Sequence, residues 1–241
     1  MMDFAGDPTT SRGVTERGFA IVHDGRTVPG LLWTPEATDG PSPVVLIGHG
    51  GGGHKRQPHL LALARRLVRH HGICAVAIDG PAHGERIPAG GEPTTKERRA
   101  AMRDGDVIDE MIADWKATLD AALTLPEIDG GPVGYWGLSM GTIFGLPFVA
   151  REPRVNAAVL GLMGVGGFMG DTLRPYAADI RCPVLFLQQL DDELIPAATV
   201  DALYEALATS DKELHRNPGA HAAVPPEEFD LTEQFLAQHL R

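Results

Sequence analysis

The stretch Pro132-Val133-Gly134-Tyr135-Trp136-Gly137-Leu138-Ser139-Met140-Gly141-Thr142 decides how this chain is read. Tyr135 and Trp136 favour a strand. Gly137-x-Ser139-x-Gly141 then reads as a sharp strand-to-helix turn with the serine at its apex. A residue forced toward positive φ crowds its neighbours, so the positions two before and two after it do best without side chains. The hydroxyl then stands at the N-terminus of the next helix, where backbone N–H groups meet developing negative charge. That helix is predicted over 143–150, with Pro147 expected to kink or shorten it.

Outward from this turn the pattern alternates. Upstream, the apolar run 44–47 reads as a strand buried on both faces, ending in Gly48-His49-Gly50-Gly51-Gly52-Gly53-His54. Leu60, Leu61, Ala64, Leu67 and Val68 fall at helical spacing. A second buried strand, 73–78, closes on Asp79-Gly80-Pro81-Ala82-His83-Gly84. Residues 85–106 are irregular, with Pro88, Gly90, Gly91 and Pro93 ahead of a charged run from Lys96 to Arg103. An amphipathic helix is predicted over 107–125. Before all of this, 18–22 and 27–33 flank Asp24-Gly25 as a hairpin, and residues 1–17 are expected to be loose. Downstream come strands over 155–162, 183–187 and 212–215 and helices over 197–208 and 227–240, with a Gly-, Met- and Phe-bearing connection over 163–181. Such alternation predicts an α/β fold with a mostly parallel sheet of about eight strands, covered by helices on both faces. No linker or repeat divides the chain, so residues 18–241 are read as one domain.

The totals narrow the function. The 241 residues carry a net charge of −11, which disfavours nucleic acid and anionic membrane as partners. Cys74 and Cys182 lie in or beside apolar runs and read as free thiols of a reducing compartment. The N-terminus has neither a signal-peptide pattern nor a membrane span, so a cytoplasmic location is expected.

A serine hydroxyl needs a base to take its proton and an acid to orient the base. Acids follow the strand 183–187 in Asp191-Asp192-Glu193, and His221 follows the last short strand in Asn217-Pro218-Gly219-Ala220-His221. The order serine, acid, histidine is the one a strand-turn-helix serine requires. One oxyanion donor is expected at the Met140 amide, the residue after the serine, and a second in the Gly-rich turn.

At these residues the chain resembles the α/β-hydrolase family, from about Gly18 to Leu240. The resemblance rests on Gly48-His49-Gly50-Gly51, Asp79-Gly80-Pro81-Ala82-His83-Gly84, Gly137-x-Ser139-x-Gly141, Asp192-Glu193-Leu194-Ile195-Pro196 and Gly219-Ala220-His221. Within the family the chain looks most like the small, lidless, dienelactone-hydrolase-like and carboxylesterase branch. Dienelactone hydrolases proper use a cysteine nucleophile, and Ser139 here favours ordinary ester hydrolysis. The resemblance implies that Ser139 is the nucleophile, His221 the base and Asp192 the acid, since Asp192 stands four residues before Pro196; Asp191 is the alternative. It also points to the Gly51 amide as the second oxyanion donor, with Gly52 the alternative.

The remaining candidates divide into site and scaffold. The Gly-rich turn lacks the Gly-Lys-Ser/Thr of a phosphate loop. His49, His54 and His83 match no common zinc spacing, so no metal is expected and their role is hydrogen bonding within the loops. Asp79 is expected to brace the loop after its strand, and His70 and His71 to be solvated helix-end residues. Gly52, His54, Phe144, Met163, Phe168 and Met169 are candidates for a substrate pocket. The basic run with Arg86 either selects a carboxylate-bearing ester or forms a solvated helix face, the commoner case. The interval from Ser139 to Asp192 is too short for a large cap. The function expected is hydrolysis of small-molecule carboxylic esters without a cofactor. Thioester, amide or lactone hydrolysis, acyl transfer and a non-enzymatic sensor are the competing readings, because fold does not fix function.

Overall fold

The computed structural model describes residues 1–38, 40–104, 106–128 and 130–241. Nine strands form one mixed sheet in the order β1-β2-β3-β5-β4-β6-β7-β8-β9. The first three, β1 (Asp3–Ser11), β2 (Val14–His23) and β3 (Arg26–Pro35), are antiparallel, and β3 joins β5 (Cys74–Ile78) antiparallel. From there β4 (Val44–Gly48), β6 (Val133–Gly137), β7 (Val155–Gly161), β8 (Val184–Gln189) and β9 (Lys212–Asn217) run parallel.

The N-terminal residues expected to be loose are instead β1 and the first half of β2. Ladder hydrogen bonds, not an apolar pattern, order β1: its residues are almost all exposed, and Phe4 pairs with Phe19 across the ladder. This adds one strand to the expected sheet. The hairpin of β2 and β3 turns at Asp24 and Gly25, both at positive φ, as the Asp-Gly signal predicts.

Helices cover both faces. On one, α1 (Pro58–His71) and α7 (Pro226–His239) pack a core of Trp33, Leu60, Trp136 and Leu236. α1 starts at Pro58 and stops at Gly72, whose left-handed conformation turns its N–H back to the Leu67 and Val68 carbonyls. On the other face, α3 (Val107–Ala122), α4 (Met140–Arg151) and α6 (Ala197–Ala206) bury Trp115, Tyr135, Phe148 and Phe186. The Trp115 and Tyr135 rings meet edge to face at 5.8 Å. α4 runs on through Pro147 to Arg151, so the proline does not end it. Two helices lie where the sequence reads as connection, α2 (Thr95–Asp104) and α5 (Gly170–Ala177). No helix among the described residues is long and apolar enough to cross a membrane.

The connections set where a site can form. From β4 the chain steps to β5 on one side, then crosses back to β6 on the other. Such a reversal opens a crevice beyond the carboxyl ends of the two strands. Gly48 and Gly137, the last residues of β4 and β6, are register partners there.

Candidate active site

Ser139 occupies the turn between β6 and α4 with φ 57° and ψ −116°. The flanking glycines are sterically required. A Cβ on Gly137 would lie 2.8 Å from the Gly141 carbonyl oxygen, and one on Gly141 would lie 2.9 Å from that of Gly48. Thr142, wholly buried, fixes the turn from beneath, its hydroxyl accepting the Gly161 N–H at 2.8 Å within reach of the Gly137 and Gly161 carbonyls.

Ser139 Oγ lies 2.9 Å from His221 Nε2, and His221 Nδ1 lies 2.7 Å from Asp192 Oδ2. The other Asp192 oxygen, Oδ1, accepts the Leu194 and Ile195 amides at 2.8 and 2.9 Å. Asp191, the alternative acid, points elsewhere: its carboxylate takes the Gly219 N–H at 2.8 Å, while Glu193 takes the His221 N–H at 3.0 Å. Neither is merely a solvated loop charge. Together with the buried Gln189, whose amide reaches the Pro218, Ala220 and Ala223 carbonyls, they fix the backbone of the histidine loop. The alternation 189, 191, 193, which begins on the last residue of β8, is a signal for this, readable only once that loop is known to lie alongside.

The amides of Gly51 and Met140 have no acceptor among the described residues, and both residues line the cavity that also holds Ser139. The Gly52 amide is already given to His83 Nε2 at 3.3 Å. That contact belongs to a reciprocal brace between the two loops. His49 Nδ1 donates to the Gly50 carbonyl and its Nε2 accepts the Gly80 N–H at 2.9 Å. His83 Nδ1 donates to the Pro81 carbonyl while its Nε2 holds Gly52. The rings sit 5.2 Å apart, so the loop-bonding role expected for both is the one observed. Asp79 completes the brace by accepting the Lys55 and Glu85 amides at 2.9 Å and pairing with the buried Lys55 ammonium. Burial works to raise the Asp79 pKa; the Lys55 hydrogen bonds and the Glu85 amide outweigh it and hold the carboxyl below its usual range.

Burial lowers the pKa of both histidines, that of His49 from 6.5 to about 4, with His83 and His54 adding to the effect and Asp79 opposing it. The unfolded chain therefore takes up a proton at His49 near pH 6.5, and the folded chain only near pH 4. Between these values the unfolded state binds more protons, and stability falls as pH falls. A loss of about 3 kcal/mol across that window is expected from His49. His49→Gln, which keeps an acceptor for Gly80, should remove that part of the slope when thermal midpoints are measured from pH 7 to 4.

The cavity above Ser139 measures about 710 Å³. Of the expected pocket residues, Gly52, Met163 and Phe168 line it and three do not. His54 is exposed, its ring accepting the Arg56 amide. Phe144 is buried beneath the site beside His49 and Trp115, because its place on α4 turns it into the core. Met169 faces a separate cavity of about 380 Å³ with Arg103 and Tyr176. One wall, which the sequence offers only as the less common alternative to a solvated helix face, is α2, which contributes Arg98, Arg99 and Met102. Arg98 pairs with Glu92 at 2.7 Å, and the Arg99 guanidinium lies 5.1 Å from the centre of the Phe168 ring. Arg86 is bound to the buried Asp114 at 2.8 Å. It belongs to the scaffold.

The profile of the Dienelactone hydrolase family matches residues 28–228. A search of curated proteins finds no match. Among solved structures, a PEG-bound complex of a novel cold-adapted esterase from an Arctic intertidal metagenomic library is similar at 42% identity and a TM-score of 0.90, covering all of both chains. Acetyl xylan esterase 1 from Thermoanaerobacterium sp. is similar at 18% identity and a TM-score of 0.80, covering 100% of this chain and 88% of that one. An acetyl xylan esterase from Paenibacillus sp. shows the same identity and coverage at a TM-score of 0.78. The last two likenesses bear on the fold alone. With a family match across most of its length and a full-length relative at this identity, the chain belongs to the dienelactone hydrolase family of α/β-hydrolases.

Proposed function

We propose that the protein hydrolyses carboxylic esters of small to medium size through an acyl-enzyme on Ser139. The observation that carries this reading is the continuous chain from Ser139 Oγ through His221 to Asp192, at 2.9 and 2.7 Å, opening into a cavity of about 710 Å³. The likeness to an esterase at 42% identity supports the same bond class. His221 Nε2 takes the proton as Ser139 Oγ attacks the ester carbonyl, then returns it to the departing alkoxide. Asp192 keeps the His221 proton on Nδ1. The Gly51 and Met140 amides receive the oxyanion, and a water activated by the same histidine releases the acid. Met163, Phe168 and Ile143 supply apolar walls for the acyl or alcohol group. No cofactor or metal enters these steps. The acidic balance argues against nucleic acid and anionic membrane as partners. The free thiols Cys74 and Cys182 support a cytoplasmic location.

A series of p-nitrophenyl esters from acetate to long acyl chains tests the reading. Turnover is expected for short and medium chains, with kcat/KM falling once the acyl group outgrows the cavity. A folded protein inert toward the whole series would overturn it.

A further inference from the structure

Outside the cleft, the last turn of α1 meets α7 in a second cluster of titratable side chains. Glu233 is 3% exposed, and its two carboxylate oxygens are used differently. Oε2 accepts Arg66 Nε at 2.6 Å. Oε1 faces two imidazoles, His70 Nδ1 at 2.7 Å and His71 Nε2 at 2.9 Å. The two rings reach one oxygen through different nitrogens, although adjacent helical residues point about 100° apart. The expectation of solvated helix-end histidines holds for His70, which is exposed, and is corrected for His71, which is largely covered; Glu233, delivered by the closing helix, gathers both.

We propose that His70, His71 and Glu233 form a surface binding site for a divalent transition metal of the zinc class. Their donor atoms all lie within 4.8 Å of one another. Two imidazole nitrogens and one carboxylate oxygen, with water as a fourth ligand, make the tetrahedral set that suits Zn²⁺ or Co²⁺. The set has too few oxygens for Ca²⁺. Bonds of about 2.0 Å to a tetrahedral ion require ligand atoms roughly 3.3 Å apart. The nitrogens must therefore draw back from Oε1 by about half an ångström, which the half-exposed His70 ring is free to do. Each ring would present a lone pair to the metal at the nitrogen now facing Glu233 and keep its proton on the other.

The surroundings favour a cation. Glu233 and Asp230 are anionic, Arg66 pairs with both, and with neutral imidazoles one negative charge remains in excess. The site also lies at the C-terminal end of α1, where the helix dipole is negative. Arg66 on Oε2 leaves Oε1 to bind through a single oxygen and fixes the carboxylate plane, as outer partners of metal ligands commonly do. A bound ion would join α1, which follows the Gly-rich loop, to α7, which follows the His221 loop. None of the three ligands lines the cavity above Ser139.

The test uses the full chain at pH 7.5 with Zn²⁺ by calorimetry and Co²⁺ by visible absorption. One equivalent of metal is expected, with the strong visible bands of tetrahedral Co²⁺. His70→Ala and His71→Ala should each weaken binding at least about tenfold. The double variant should lose this binding, and Zn²⁺ should raise the thermal midpoint of the wild type only. Ester turnover should not change as the site fills. Absence of saturable binding in the wild type, or unchanged affinity in the double variant, would overturn the proposal. So would Zn²⁺ inhibition of turnover with equal potency in wild type and double variant without a further bound equivalent, which would place the metal on His221.

Discussion

Ser139→Ala is expected to lower kcat/KM toward a short-chain ester by a factor on the order of a million, while the thermal midpoint stays within a degree or two of wild type. Both halves follow from the turn. Alanine keeps the Cβ, so it inherits the same positive φ and the same close approach of Gly137 and Gly141. The Ser139 N–H bond to the Gly161 carbonyl, 3.0 Å long, is backbone and survives. What disappears is the hydroxyl and its hydrogen bond with His221 Nε2. On the proposed mechanism, the oxyanion formed by direct attack of water would still meet the Gly51 and Met140 amides, which leaves a residual rate above background. Steady-state turnover measured beside a thermal melt decides the matter. A folded variant within about tenfold of wild type would remove Ser139 from the mechanism.

What the sequence disclosed and what it hid have the same physical origin. The turn at Ser139 was legible because its requirement is local: two glycines must stand where side chains would strike the Gly141 and Gly48 carbonyls. Asp192 and His221 were legible because strand order on a parallel sheet brings the ends of β8 and β9 to the same edge. The choice of Asp192 over Asp191 came from resemblance, and the geometry separates them by what each carboxylate touches: the His221 ring for one, the Gly219 amide for the other.

The unread parts depend on distant partners. β1 contains Gly6 and Pro8 and has almost no buried face, so nothing in it announces a strand until β2 offers a ladder. α2 is charged along most of its length, and among its described side chains only Met102 packs into the core, while it also lines the cavity with Arg98 and Arg99. α5 carries Pro175 within its eight residues. His70 and His71 looked solvated because Glu233 lies at the far end of the chain.

Asp192→Asn should be nearly as damaging as loss of the serine, lowering kcat by about ten-thousandfold, although it changes one atom and leaves the fold intact. The wild-type carboxylate divides its work. Oδ1 accepts the Leu194 and Ile195 amides, and Oδ2 faces His221 Nδ1 at 2.7 Å. In asparagine the carbonyl must stay with the two amides, because an NH2 group there would confront two donors. The NH2 group is then forced onto His221 Nδ1 and can be satisfied only if that nitrogen becomes the acceptor. The ring proton moves to Nε2, where it points at Ser139 Oγ and can no longer take a proton from it. The damage is thus tautomeric and should appear in kcat, with KM little changed. Asp191→Asn and Glu193→Gln, whose carboxylates accept backbone N–H groups of the histidine loop, keep an acceptor oxygen and should cost no more than a few fold, although Glu193 also lines the cavity, since replacing an exposed charged acceptor with a neutral one weakens a single hydrogen bond. Steady-state kinetics on the three variants, with thermal midpoints alongside, give the ranking. If Asp191→Asn proved the crippled variant and Asp192→Asn the mild one, the acid would have been assigned to the wrong carboxylate.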